Sequence, residues 1–158
     1  MTDPDLDDID RAILYEVQKD ARNNTNAAIS ERVGVSASTV GKRIARLEDH
    51  DVIEGYRPEL DHERVGFPLH VLFICTVSIT DREALITETL DLEGVLDVRE
   101  LMTGRENVHI RVIGSSNDDI TRIAQQLDGM GYTVTDEILM RDEYTKASDY
   151  FDVPPPDV

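Results

Sequence analysis

The stretch AAISERVGVSASTVGKRIARL, residues 27–47, constrains the chain more than any other. Gly34 suits a left-handed helix C-cap, and Ser36, two residues later, suits the N-cap of a new helix. A helix buried through Ala28, Ile29 and Val33 therefore gives way almost at once to a second. Counting about 100° per residue along that second helix, Ala37, Val40, Ile44 and Leu47 form one apolar stripe. Ser38, Thr39, Lys42 and Arg46 share the opposite face, with Arg43 flanking it. A helix packed on a short partner, with hydroxyls and cations turned outward, is what a DNA-reading helix-turn-helix requires. Lys and Arg meet phosphates or a guanine edge, and Ser and Thr serve either. The candidate DNA-binding residues are Ser36, Ser38, Thr39, Lys42, Arg43 and Arg46. The plain alternative, an amphipathic helix with a solvated face, does not account for the helix-Gly-Ser junction before it.

The net charge of −17 argues against nucleic acid at first sight, because binding domains are usually basic. Its distribution matters more. Residues 1–60 carry eight Lys/Arg against thirteen Asp/Glu, and residues 61–158 carry eight against twenty. Residues 36–47 hold three cations and no acid. Only Lys19, Lys42 and Lys146 are lysines, against thirteen arginines. Abundant acid with scarce lysine resembles proteins of salt-in halophiles, where a Debye length of about 3 Å screens self-repulsion. With 40% apolar residues the chain has material for a core. No run reaches the roughly 18 residues of a membrane span, and MTDPDLDDID is too acidic for a secretory signal. The lone Cys75 lies in an apolar run and reads as a buried, inert thiol. The expectation is a cytoplasmic protein with no membrane partner and no metal.

Around the reading element, Leu6, Ile9, Ile13 and Val17 recur at helical spacing, with Asp7, Asp8 and Asp10 complementing the positive end of the helix dipole. Thr25 is placed to cap the next helix. Gly41 lies inside the reading helix, where it costs about 1 kcal/mol relative to Ala. It borders the exposed face, so the expectation is that it lets the DNA backbone approach closely. Residues 52–56, VIEGY, alternate like a small wing strand, and Pro58 ends them. Residues 61–68 read as a linker punctuated by Gly66 and Pro68.

The second half changes rhythm. Residues 69–80 alternate as a strand, with Leu72 and Ile74 making even its second face partly apolar, so that face is expected to be covered by a partner. A helix over 81–92 follows, buried through Leu85, Ile86 and Leu90. Two strands, 95–103 and 107–113, flank the turn Gly104-Arg105-Glu106. A helix capped by Ser116 or Asn117, with Ile120, Ile123, Ala124 and Leu127 at helical spacing, precedes a strand over 132–140. The order β-α-β-β-α-β is the ferredoxin-like arrangement. The fold class is thus α+β: a winged helix-turn-helix over 1–60, a linker over 61–68, a ferredoxin-like domain over 69–146, and a flexible tail over 147–158. Residues 1–5 read as a frayed terminus, and Tyr150-Phe151 as a candidate docking motif in the tail.

LDDIDRAIL, QKDARNNT, VGVSASTVGKRIARLE and VIEGY, followed by TGRENVHIRV and by TVT at 133–135, together resemble the Lrp/AsnC (feast/famine) transcription regulators over about residues 6–146. The second half resembles their RAM domain, an amino-acid-sensing relative of ACT domains. The resemblance implies homodimers built through that domain, often assembled into octamers, binding double-stranded DNA. It also implies an amino acid or related metabolite as effector, with no other cofactor. That effector would lie near Leu101, Thr103, Gly104 and Asn107 of one subunit and Thr133, Thr135 and Asp136 of another. The chain departs from the family pattern at Asn107, where Asp is usual, and at Glu106, where an aromatic is usual. Asp51 stands in place of a Gly and has to accept a left-handed turn. An architectural DNA protein with little sequence preference is the main alternative. A siroheme decarboxylase-like subunit is a remote one, since His50, His62, His70 and His109 make no pair at metal-ligand helix spacing. The helix-turn-helix favours a regulator without enzymatic activity.

Overall fold

The computed structural model describes residues 5–78, 80 and 82–153. The chain forms two compact units. One runs to Pro58 and regains the segment from Tyr144 onward; the other is Glu59–Glu143.

The first unit has three helices, α1 (Asp8–Lys19), α2 (Asn26–Val33) and α3 (Ala37–Asp49). Each begins where the sequence supplies an acceptor for its orphan amides. Asp7 opens α1 with a reciprocal capping box to Asp10. Thr25 Oγ1 accepts from Ala28 N, and Ser36 Oγ from Thr39 N, both at 3.2 Å. Gly34 closes α2 in the left-handed conformation, at φ 76°. The core is Ile13, Leu14, Ile29, Val33, Val40 and Leu47. The acids of α1 do more than complement a dipole. Glu16 is buried and paired with Lys19 in its own helix and with Arg32 in α2. Burial alone would raise its carboxyl pKa, but the two cations outweigh that and lower it.

Two expectations for this unit are corrected. No strand forms at 52–56: Val52 N and Ile53 N both donate to Leu47 O, and the two side chains pack on the helical core. The turn is made by Asp51, which does adopt positive φ, at 55°. Nor does the expected flexible tail stay free where it is described. Asp149–Phe151 forms a 3-10 turn, Phe151 packs against the helical core, and Ser148 N donates to Gln18 Oε1. Two adjacent aromatics, Tyr150 and Phe151, among prolines and acids carry no periodic signal, so where Phe151 packs was not legible. Residues 154–158 of that tail, residues 1–4, Ile79 and Asp81 lie outside the described residues.

The second unit contains β1 (Leu69–Thr76), α4 (Arg82–Leu90), β2 (Val95–Glu100), β3 (Val108–Gly114), α5 (Asn117–Gly129) and β4 (Thr133–Leu139). The sheet order is β2-β3-β1-β4, antiparallel throughout. One face of the sheet, with Val71, Phe73, Cys75, Val108, Ile110 and Val112, packs with Ile120, Ile123 and Leu127 of α5 and with Leu85 of α4. Burial pushes the Cys75 thiol up to about 12, which keeps it protonated and unreactive. The helix α4 is anchored differently from expectation. Leu90 is exposed, and Thr89 is fully buried instead. Thr89 donates to Leu85 O at 2.7 Å and accepts from Tyr132 Oη at 2.9 Å. The opposite sheet face carries Leu72, Ile74 and Ile138 with the ion-paired Arg111 and Asp97, and among the described residues no helix of this unit covers it. Among the described residues no helix is long and apolar enough to cross a membrane, and no three His, Cys, Asp or Glu could hold a metal ion together.

Candidate nucleic-acid interface

The helix α3 is aimed by its two ends and its buried stripe. Val40 and Leu47 are fully buried, and Ser36 fixes the first turn. The six candidate residues divide into three kinds. Ser38 and Lys42 are exposed, and Lys42 makes no ion pair among the described residues. Ser36 and Thr39 are joined hydroxyl to hydroxyl at 2.8 Å, so the cap occupies part of their hydrogen-bonding capacity.

Arg43 and Arg46 are held by α1. Arg43 Nη1 donates to Asp7 Oδ2 at 2.5 Å and to Asp10 Oδ1 at 3.0 Å; Arg46 Nη2 donates to Asp10 Oδ2 at 2.7 Å. Asp10 is fully buried, whereas the Asp7 side chain is 52% exposed and that of Arg46 45%. The bond from Arg43 is the main reason the Asp7 carboxyl falls to about 2, against the burial that opposes it. Reciprocally, Asp7 first and Asp10 second hold the Arg43 pKa above its ordinary value. Helical periodicity placed the two arginines on the outer face, but it was blind to the acidic partners in another helix. A signal was present, because Asp7/Asp10 and Arg43/Arg46 share the i, i+3 spacing that lets two pairs meet across a helix contact.

Gly41 also has a partner. A Cβ there would stand 2.9 Å from Asn26 Nδ2, so the missing side chain would point at the exposed Asn26 of α2.

The residues assigned to an effector gather at one end of the sheet, around the last residues of β1. The β2–β3 loop closes with Leu101 N donating to Asn107 O at 2.8 Å. Glu106 adopts φ 51° and its N–H reaches Thr76 Oγ1 at 2.8 Å. On the other side of β1, Thr133 pairs with Thr76 and Asp136 with Ile74. Thr103, Gly104, Thr133, Thr135 and Asp136 are exposed, and Leu101 is half-buried. Asn107 is buried with its amide in use: Oδ1 accepts from Val77 N at 3.0 Å and Nδ2 donates to Val77 O at 2.9 Å. It clamps the end of β1, so its side-chain amide is engaged by the chain itself.

The geometry agrees with what the chain is similar to. The winged helix-turn-helix DNA-binding family matches residues 6–54. The regulator AldR of Mycolicibacterium smegmatis is 31% identical over 121 residues, covering 75% of this chain and 70% of that protein. The leucine-responsive regulatory protein of Rhizobium meliloti is 45% identical over 65 residues, 41% of each chain. Among solved structures, AsnC of E. coli superposes with a TM-score of 0.71 at 19% identity, covering 90% of this chain and 97% of its own. A Neisseria meningitidis transcriptional regulator in complex with L-Met gives 0.76 at 22%, covering 90% and 94%.

Proposed function

The chain belongs to the Lrp/AsnC type of helix-turn-helix transcriptional regulators, and from that premise we propose that it reads a specific, two-fold related operator as a homodimer. The observation that carries this is the exposed pair Ser38 and Lys42 on a capped, buried-stripe helix, in a protein of net charge −17. A surface that repels DNA almost everywhere confines contact to a small area, so two heads are needed, with half-sites a helical turn or a multiple apart. The apolar patch Leu72, Ile74 and Ile138, on the sheet face that no helix of this unit covers among the described residues, supports self-association through the second unit, as a dimer and from there an octamer. Three lysines among sixteen basic residues support a cytoplasm of molar salt as the working environment.

The second unit is proposed to sense an amino acid or a related metabolite between subunits, at the sheet end that carries Thr103, Gly104, Thr133, Thr135 and Asp136. The L-Met complex of the Neisseria protein supports that class of ligand. With Asn107 engaged by Val77, the polar contacts fall to the hydroxyls, the Asp136 carboxylate and the loop backbone. The test is a map of genomic sites bound with and without a panel of amino acids, followed by titration of a mapped site against random duplex at matched high salt. A preference for the mapped site of at least about a thousandfold is expected. Equal affinity for random duplex would replace this reading with an architectural one.

A further inference from the structure

Two of the three cations on the reading helix face internal carboxylates. Arg43 and Arg46 meet Asp7 and Asp10 at 2.5–3.0 Å, and the four side chains sum to zero charge. Asp10 is the fixed member: it is fully buried and accepts from both guanidinium groups. Asp7 is the exchangeable member, about half exposed and bonded to Arg43 alone among the arginines. Lys42 stands outside the quartet.

We propose that Asp7 and Asp10 act as an internal counterion for the reading helix, suppressing its sequence-independent attraction for phosphate and so setting how well the protein tells its operator from bulk DNA. This rests on α3 being the DNA-contacting helix. A phosphate competes with Asp7 for Arg43, and wins only where the remaining contacts hold the duplex in register. Arg46 is a positioned reader, since the bond to Asp10 fixes its direction while nearly half of the side chain stays exposed. Because the partners are covalently part of the same unit, the masking persists at salt concentrations that dilute ordinary long-range steering.

The test uses three variants of the full chain. Asp7→Asn keeps an equally good N-cap and removes one masking charge. Asp8→Asn removes the same charge from the same helix end, at an exposed residue that makes no ion pair among the described residues. Asp10→Asn removes the buried charge. Affinity for operator and for random duplex is measured across a salt series, with folding checked by circular dichroism. Each unmasked arginine that gains a phosphate should steepen the slope of log K against log salt by about 0.9 per head. At about 0.1 M salt, the same relation makes random duplex bind about eightfold tighter per head. Asp7→Asn should show both changes with a reduced operator-to-random ratio, and Asp8→Asn neither. The inference is overturned if folded Asp7→Asn and Asp10→Asn keep the parent slope and ratio, or if Asp8→Asn matches Asp7→Asn. Wild-type protein that binds no duplex at all would instead overturn the assignment of α3.

Discussion

Replacing Asn107 with Ala removes both hydrogen bonds between the β2–β3 loop and Val77. Each such bond contributes about 1 kcal/mol, and an N–H or C=O left without a partner inside the protein costs about 1–3 kcal/mol more. Asn107 is fully buried but Val77 only half-buried, so water satisfies part of what is lost. That places the loss at about 3 kcal/mol. For a domain of this size it lowers the thermal midpoint by about 12–24 °C. A circular dichroism melt of the full chain measures it, together with a signal specific to the second unit, since the two units need not unfold in one step. Asn107→Asp supplies the chemical control. A carboxylate still accepts from Val77 N but sets an acceptor against Val77 O, so its folded-state pKa is expected above the unfolded value. The stability of that variant should then be greatest below the unfolded pKa and be lost as pH rises through the folded one. A midpoint shift of less than about 4 °C for Asn107→Ala would show that the loop is held by something else.

Three further outcomes are expected. Phe151→Ala should destabilise the three-helix unit by about 2 kcal/mol, roughly half of a full core truncation because the side chain is only partly buried; a denaturant melt followed by helix signal measures it. Acidification should weaken the same unit between about pH 4 and pH 2, because the Asp7 carboxyl is depressed to about 2 in the fold. Its contribution is present above the unfolded pKa and lost as pH falls through the folded one, so Asp7→Asn should flatten that part of the melting-temperature profile. Gly41→Ala should raise stability by up to about 1 kcal/mol, since only the exposed, movable side chain of Asn26 stands in the way; a lower melting temperature would show that Asn26 cannot yield.

The parts of the fold legible in sequence are those governed by local rules. Thr25, Gly34 and Ser36 marked the helix boundaries through backbone amides within a few residues, and each behaves as its chemistry dictates. Alternation in β1 and β3 gave the sheet because one face is fully buried. Period also led the reading astray at Thr89 and Leu90, where a hydroxyl paired with Tyr132 replaces an apolar anchor. Long-range pairing is not carried by local periodicity. Arg43 and Arg46 looked free because their partners lie more than thirty positions away. Asn107 entered the effector set through the family resemblance alone, and nothing local reveals the Val77 backbone that its amide engages.

The return of residues 144–153 to the three-helix unit bears on how the protein is made. Phe151, which packs on the core of that unit, is translated only after the whole of Glu59–Glu143. The head that meets DNA therefore begins first and is completed last. A nascent or proteolysed chain with a head but no second unit also lacks this final packing residue, and is less stable for it. Full stability of the head is therefore reached only after the second unit has been synthesised.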